Sequence, residues 1–93
     1  MRESRIETRV TEDAKKLGWR SIKLNGGGDR GKPDRLYFKG PPPRLKIIEY
    51  KRPGEDLDPL QVYWYKILNK MGFDIHVVDD YDQGIALFRG RQC

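Results

Sequence analysis

Apolar residues recur at helical spacing in two stretches of the chain. The first stretch spans residues 3 to 17 and ends before Gly18, a residue type that often follows the last turn of a helix. The second begins after Asp58, which can cap a helix, and ends before Gly72. The apolar positions are Ile6, Val10, Ala14 and Leu17, and then Leu60, Trp64, Ile67, Leu68 and Met71. Two amphipathic helices are therefore predicted.

The other apolar residues form short runs that predict strands. These runs are residues 19 to 24, 33 to 39, 44 to 51 and 73 to 78. A glycine and three prolines, residues 40 to 43, join the second and third runs as a hairpin, and a short helix is predicted over residues 81 to 88. The order α-β-β-β-α-β-α suits an antiparallel meander followed by a parallel strand. The predicted fold class is a small α/β domain with a mixed sheet, of α+β character, over residues 1 to 93.

The composition favours an anionic partner. The 93 residues carry 19 Lys and Arg against 14 Asp and Glu, a net charge of +5, which favours binding to a polyanion. The hydrophobic fraction of 37% allows one thin core, and a homodimer would add buried area. A single cysteine, Cys93, fits a reducing compartment. No apolar run approaches the ~20 residues that span a bilayer, so we expect an intracellular protein without a membrane partner.

A glycine-rich segment before Pro33 matches two nucleotide-binding patterns. Residues 26 to 31 match G-x-G-x-x-G, and residues 26 to 32 match G-x-x-x-x-G-K. Both patterns need a helix directly after the loop, whose N-terminus then faces the phosphate. Pro33 and a strand follow instead, so we expect no nucleotide cofactor. The segment is interpreted as a flexible loop that allows close approach of a sugar-phosphate backbone, with Arg30 and Lys32 supplying charge.

Acidic residues stand where the third predicted strand leaves the core. Side chains alternate along a strand, so Glu49 and Lys51 share one face. Asp34 begins the neighbouring strand, and antiparallel pairing can bring it beside both of them. Two adjacent carboxylates raise each other's pKa, and Mg²⁺ would resolve their repulsion. A nearby lysine can orient the attacking water or stabilise charge on a phosphate. Glu7, on the first helix, could complete the cluster.

A simpler interpretation of these acids stays open at this point. They could form ordinary cross-strand ion pairs with lysine. The chain would then be a non-catalytic basic module that binds nucleic acid. The enzyme interpretation requires the carboxylates of Glu7, Asp34 and Glu49 to converge within reach of one ion.

Several segments of the chain form a specific combination. They are an acidic helix that opens Glu3-Ser4-x-Ile6-Glu7 and ends Leu17-Gly18, then Gly31-Lys32-Pro33-Asp34-Arg35-Leu36, Ile48-Glu49-Tyr50-Lys51-Arg52-Pro53-Gly54, Leu57-Asp58-Pro59-Leu60-Gln61 and Met71-Gly72-Phe73. Together they resemble the virus-type replication-repair nuclease (VRR-NUC) branch of the PD-(D/E)XK nuclease superfamily. The resemblance covers residues 3 to 79.

This resemblance implies a restriction-endonuclease-like αβββαβ core and Mg²⁺- or Mn²⁺-dependent cleavage of phosphodiester bonds. It implies that Asp34 and Glu49 ligate the metal together with the backbone carbonyl of Tyr50. Lys51 would position the attacking water, and Glu7 would be the acid of the first helix and a further candidate ligand. The side chain of Tyr50 should face away from the site.

Gln61 has two interpretations, which can coexist. By resemblance it is the glutamine of the second helix that lies near the site. Asp58-Pro59-Leu60-Gln61 also fits a capping box, which needs no active site. The cations that flank the acids and are predicted to contact phosphates are Arg30, Lys32, Arg35 and Arg52. The aromatic residues predicted to serve the core and a dimer interface are Tyr63, Trp64 and Tyr65.

The resemblance also implies a substrate and an assembly. Standalone members of the family, of phage and bacterial type, look like homodimeric junction resolvases. The expected function is therefore a structure-specific endonuclease that acts in DNA repair on branched DNA such as Holliday junctions. A homodimer would place two active sites to cut two strands.

Overall fold

The structure is a computed structural model that describes residues 2–24 and 30–89. Its elements are helix α1 (Glu3–Lys16), strands β1 (Arg20–Lys23), β2 (Arg35–Lys39) and β3 (Arg44–Tyr50), helix α2 (Pro59–Lys70), strand β4 (Ile75–Val78) and helix α3 (Tyr81–Arg89). Each predicted helix and strand is present, although β1, β2 and β4 start later than predicted. Most of the glycine-rich loop, residues 25 to 29, and Cys93 lie outside the described residues.

The four strands form one mixed sheet in the order β1-β2-β3-β4. β1 pairs antiparallel with β2, and β2 pairs antiparallel with β3, which confirms the predicted meander. β4 follows α2 and pairs in parallel with β3, since a helix lets the chain return to the same end of the sheet. The predicted α+β fold with a mixed sheet is confirmed.

One face of the sheet carries the buried core. Helices α1 and α3 pack against each other and against the strands. The core side chains are Ile6, Val10, Ala14, Trp19, Tyr37, Ile48, Tyr50, Val78, Ile85 and Phe88. Helix α3 comes close because it has a glycine at the contact: a Cβ on Gly84 would lie 2.9 Å from a methyl carbon of Val10. We call this the core face of the sheet.

The opposite face carries the intervening side chains of β3. Ile48 and Tyr50 point into the core, so Glu49 between them points away from it. Helix α2 lies on this second side, where Gln61 of its first turn reaches Glu49. We call this the open face, because α2 is the element that contacts it and β1 and β2 leave much of it accessible. Ile22 of β1, for example, is 50% exposed.

Helix α2 buries none of its residues fully. The prediction that Tyr63, Trp64 and Tyr65 contribute to the core is therefore wrong, and the side chain of Tyr63 is 55% exposed. Periodicity identified the apolar side of this helix, but the described residues cover that side only in part: Trp64, Ile67 and Leu68 are half-buried, and Leu60 and Met71 are exposed. Every helix within residues 2–24 and 30–89 is too short or too polar to serve as a membrane span.

Candidate active site

Asp34 and Glu49 lie side by side where β2 begins and β3 ends. Arg35 pairs with Ile48 in the register of the two strands, which places Asp34 opposite Glu49. The backbone N–H of Asp34 donates to the carbonyl of Ile48 at 3.1 Å. The Tyr50 N–H donates to Oδ2 of Asp34 at 2.7 Å. Backbone hydrogen bonds therefore hold the Asp34 side chain against β3, as the hairpin prediction required.

Glu49 is a buried acid with one unsatisfied oxygen. Its side chain is buried, with the residue 6% exposed, and Oε2 accepts a hydrogen bond from Nε2 of Gln61 at 2.7 Å. Oε1 has no hydrogen-bond partner within the described residues. Burial, and then the charge of Asp34, raise the pKa of Glu49 to about 8. This carboxylate is ready to accept either a proton or a cation.

Asp34 shares that electrostatic environment. Burial is the largest effect and raises its pKa, the Tyr50 N–H acts in the opposite sense, and the charge of Glu7 adds to the rise. Both acids of the hairpin thus hold a proton more readily than an ordinary carboxyl group does when no cation is bound. A structural ion pair would lower the pKa of a carboxylate instead, so the simple ion-pair interpretation fits these two residues poorly.

Lys51 follows Glu49 on the same side of the strand and is also buried, at 7% exposed. Its Nζ lies 4.0 Å from Oε2 of Glu55, on the turn that follows β3. Tyr50 points the other way and shares a hydrogen bond of 2.7 Å between its hydroxyl and that of Tyr37. The prediction that the Tyr50 side chain faces away from the acids is confirmed.

Gln61 fulfils both of its interpretations in the structure. Its backbone N–H donates to Oδ1 of Asp58, and its Oε1 accepts from the Asp58 N–H, both at 3.0 Å. These two bonds form the predicted capping box. The remaining amide group, Nε2, donates to Glu49. One side chain therefore starts α2 and fixes the orientation of a candidate ligand.

Glu7 is buried next to the acids but is paired with cations. Its Oε2 accepts from Nε of Arg35 at 2.9 Å and from Nζ of Lys23 at 3.1 Å. Within residues 2–24 and 30–89, no three acidic, histidine or cysteine side chains are grouped to hold a metal. The expected convergence of Glu7, Asp34 and Glu49 on one ion is therefore not observed, and the requirement set from the sequence is not met for all three acids. Glu7 is held by Arg35 and Lys23 instead, and the acids that lie side by side are Asp34 and Glu49 alone.

Lys23 was missed by the sequence reasoning. It pairs with Arg35 across β1 and β2, so the two side chains point to the same side and meet Glu7 together. The signal was available in the predicted meander, but it needs the register of β1, which its apolar residues do not define. Glu55 was also missed, although it stands four residues after Lys51.

The four predicted phosphate-binding cations lie in different settings. Arg30 is exposed, and its carbonyl accepts from Nε1 of Trp64 at 3.1 Å. Lys32 is half-buried on the segment that leads into Asp34. Arg35 is largely buried with Glu7 and also donates to Ser21 Oγ at 3.1 Å. Arg52 is 64% exposed, with Nε 3.7 Å from Glu55. Their common feature is nearness in sequence or space to the two acids.

A protein-family model described as the VRR-NUC domain matches residues 3–79 of the chain. The chain belongs to the VRR-NUC family. Protein p44 of Acyrthosiphon pisum secondary endosymbiont phage 1, whose name describes it as a candidate nuclease, is 33% identical over 82 residues. Those residues are 88% of this chain and 87% of p44. A solved structure described as a VRR-NUC domain is similar with a TM-score of 0.82 at 27% sequence identity, covering 94% of each chain.

The family assigns this VRR-NUC domain to the nucleases and confirms the resemblance inferred from its motifs. The similar solved structure also confirms the fold. The matched residues 3–79 include the five predicted catalytic residues, Glu7, Asp34, Glu49, Lys51 and Gln61. Four of these, all but Glu7, lie around the end of β3 on the open face.

Proposed function

We propose that this VRR-NUC domain is a metal-dependent, structure-specific endonuclease that hydrolyses phosphodiester bonds of branched DNA such as Holliday junctions. The observation that carries the proposal is the pair of half-buried Asp34 and buried Glu49 beside buried Lys51. Taking carboxylates and an ammonium group out of water costs free energy that apolar residues would not cost. A site that binds a cation and a phosphate accounts for all three groups.

The acids fit a divalent cation such as Mg²⁺ or Mn²⁺. Buried Oε1 of Glu49 has no partner within the described residues, and hard cations prefer oxygen ligands. Asp34, Glu49 and the backbone carbonyl of Tyr50 would hold the cation. When bound, it supplies positive charge that polarises the phosphate and makes water more acidic. Glu7 would act from a greater distance, because Lys23 and Arg35 occupy its carboxylate.

The remaining chemistry falls to side chains of the chain. Hydrolysis forms a bond from a water oxygen to phosphorus and breaks the bond from phosphorus to the leaving oxygen, which gains a proton. Lys51 would position the water and offset negative charge on the phosphate. Gln61 is a positioning residue, because it contacts Glu49 through Nε2 and is fixed by its own helix cap.

Cations around the acids would hold the DNA backbone. Glu7 aligns Arg35 and Lys23 with hydrogen bonds of 2.9 and 3.1 Å, so these side chains lose little further freedom when they contact a phosphate. The other predicted phosphate contacts are Arg30, Lys32 and Arg52. Their charge would provide salt-dependent, sequence-independent affinity.

A homodimer accounts for the uncovered side of helix α2. This helix has 12 residues and buries none of them fully, and isolated helices of that length are marginal in water. The large apolar residues exposed on it and just after it are Leu60, Tyr63, Met71 and Phe73. A second copy of the chain would cover them and would supply a second active site for the second strand of a junction.

Cleavage of labelled DNA tests the proposed activity. Wild-type protein with Mg²⁺ or Mn²⁺ should cut a four-way junction faster than a linear duplex of the same sequence. Asp34→Asn and Glu49→Gln keep the shape of the side chain and remove its charge, so each should lower the rate by at least about 10²–10³-fold. Arg5→Gln, at an exposed position of α1, is the control and should cut like wild type. Equal inactivity of wild type and both acid variants on junction, flap and duplex DNA would refute the proposal.

Calorimetric titration with Mn²⁺ separates this enzyme from a non-catalytic binding module. The enzyme should bind Mn²⁺, and Glu49→Gln should lose most of that heat while it still binds DNA. A module whose acids form structural ion pairs would bind DNA with the same salt dependence and show no Mn²⁺ heat in either protein.

A further inference from the structure

The open face continues from the acids to a second site at the far end of β2 and β3. Directly paired residues of neighbouring strands point to the same face. The register pairs Arg20 with Phe38 and Phe38 with Leu45, so these three side chains form one row across three strands. Phe38 follows Asp34 by four residues, which places it on the same face about 13 Å further along the strand.

A cavity of about 620 Å³ opens at this row. Its apolar lining includes Phe38, Pro41 and Leu45, and its polar lining includes the cations Arg20, Lys39 and Arg44. Within the described part of the chain, no carboxylate lines it. The cavity therefore combines an apolar floor with uncompensated positive charge at its rim. A small anion would use only the positive charge, and a neutral apolar ligand would use only the apolar floor.

Two of these three cations, Lys39 and Arg44, lie beside the buried ring of Trp19 on the core side of the sheet. The guanidinium carbon of Arg44 lies 5.2 Å from the centre of the Trp19 ring. Nζ of Lys39 lies 6.0 Å from the same ring and donates to the carbonyl of Leu17 at 2.8 Å. Nε of Arg44 and Nε1 of Trp19 are buried, and neither has a hydrogen-bond partner within the described residues. Buried donors without acceptors cost free energy. These contacts hold Lys39 and Arg44 on the core side, and Arg20 is the cation whose side chain shares the face of Phe38.

We propose that this cavity binds an unpaired nucleotide of the DNA substrate. The base would pack on Phe38, Pro41 and Leu45, and its phosphate would contact Arg20, whose side chain shares the face of Phe38. Single-stranded nucleic acid is bound by this pairing of apolar or aromatic surface with positive charge. A second copy of the chain is the poorer occupant, because each copy carries a net charge of +5 and would bring more cations to the rim.

The spacing makes the proposal specific. The cavity lies about 13 Å from Asp34 along the strand, and a DNA strand rises about 3.4 Å per nucleotide. The unpaired nucleotide would therefore lie about four nucleotides from the bond that is cut. The proposal rests on the proposed nuclease function, since it makes the cavity a site that recognises an unpaired region near the cleavage position.

Binding to two matched probes tests the site without cleavage. Fluorescence anisotropy in EDTA compares a labelled duplex with the same duplex carrying a short unpaired stretch in one strand. Wild type should prefer the second probe, and replacing the unpaired nucleotides by abasic ones should remove that preference. Arg20→Glu should weaken binding of the unpaired probe by about tenfold or more and abolish the preference. Leu45→Ala should reduce the preference with no change of charge.

Arg5→Glu is the matched control, because it changes the net charge equally at an exposed position on α1. It should weaken the binding of both probes to the same extent, through the change in overall charge. The proposal is overturned if Arg20→Glu behaves like Arg5→Glu, or if abasic and normal unpaired stretches bind wild type equally. It is also overturned if light scattering shows that Arg20→Glu only dissociates a dimer.

Cleavage by wild type keeps this result separate from the proposed function. If wild type prefers the unpaired probe but cuts no DNA, the nucleotide site is supported and the nuclease proposal is refuted. If wild type cuts DNA but binds both probes equally, only the nucleotide site is refuted.

Discussion

Strand β3 presents Ile48 and Tyr50 to helices α1 and α3, and presents Glu49 and Lys51 to the open face. The two sides differ in what covers them. The core face is closed by apolar side chains of two helices. The open face is contacted by α2, which buries none of its own residues fully. Alternation along one strand thus separates the residues that stabilise the fold from the residues that we propose for catalysis.

The polar groups of the two faces also differ. On the core face the buried hydroxyls satisfy one another: Tyr50 bonds to Tyr37, and Tyr37 to Thr11, both at 2.7 Å. Burial raises the pKa of both tyrosines above the ordinary value, so they stay neutral. On the open face Glu49 keeps an unsatisfied oxygen. Nε1 of Trp19 and Nε of Arg44 are also unpaired within the described residues, but they are donors, whereas the Glu49 oxygen is an acceptor that a cation could satisfy.

The stability difference between the faces is the largest effect to test. Ile85→Ala, in α3 against the core face, should lower the free energy of unfolding by about 2–5 kcal/mol, since Ile85 is 1% exposed. Leu68→Ala, in half-buried α2, should cost only about 1 kcal/mol, because less apolar area is lost. Urea unfolding at one protein concentration measures both. Equal losses would show that α2 is as much part of the core as α3.

The acids of the open face should make the metal-free protein less stable as pH rises. Glu49 titrates near pH 8 in the folded chain and near 4.5 when unfolded. Between those values the unfolded chain has lost a proton that the folded chain keeps. Stability should therefore fall between pH 5 and pH 8, by about 3 kcal/mol from this group. The raised pKa of Asp34 acts in the same direction.

Glu49→Gln should remove most of that pH dependence. In EDTA at pH 8 the variant should melt at a higher temperature than wild type, although we expect it not to cut DNA. Adding Mn²⁺ should stabilise wild type by binding and leave the variant unchanged. Asp13, Glu55 and Asp74 have lowered pKa values, so their contributions are lost below pH 5, outside this window. A variant that keeps the wild-type pH slope would contradict the environment described for Glu49.

The sequence predicted the fold well because its signals are local. The start of α2 is indicated by Asp58, Pro59 and Gln61. The hairpin is indicated by its glycine-proline turn. The hairpin in turn predicts that Asp34 and Glu49 are neighbours, which the register confirms. These signals depend on a few consecutive residues or on one tight turn, so no tertiary information is needed.

The parts that could not be predicted depend on contacts between distant elements. Glu7 pairs with Lys23 and Arg35, a contact among α1, β1 and β2 that no spacing in the sequence defines. Periodicity indicated the apolar side of α2 but not that this side stays partly exposed. The bond from Gln61 to Glu49 crosses from a helix to a strand. The family resemblance placed Gln61 near the site but did not identify Glu49 as its partner.

Gly31 tests whether α2 must stay close to the acids. Its φ is +80°, and a Cβ there would lie 2.5 Å from Cβ of Leu60. Gly31→Ala should therefore displace the start of α2, lower the free energy of unfolding by about 1–3 kcal/mol and slow cleavage by about tenfold. Gly72→Ala is the control, since its φ is also positive but nothing lies within 4 Å of its Cβ. Cleavage that survives Gly31→Ala unchanged would mean that the site does not depend on where α2 begins.

The smallest expected change in stability comes from substitutions that separate the two roles of Gln61, as a helix cap and as a contact of Glu49. Asp58→Ala removes the acceptor of the helix cap and should cost about 1 kcal/mol with cleavage near the wild-type rate. Gln61→Ala should cost a similar stability and also slow cleavage by about 10–100-fold, as loss of a residue that orients a ligand does. Mn²⁺ affinity should fall in Gln61→Ala and stay in Asp58→Ala.

Gln61→Glu sharpens the same distinction. Glutamate can replace glutamine in a capping box, so the helix start and its stability should be retained. Its carboxylate, however, would meet Oε2 of Glu49, where Gln61 now donates a hydrogen bond at 2.7 Å. If Gln61 matters only as a cap, Gln61→Glu cuts DNA like wild type. If it orients Glu49, Gln61→Glu folds normally and cuts as slowly as Gln61→Ala, because the variant keeps the cap and lacks the donor that Glu49 needs.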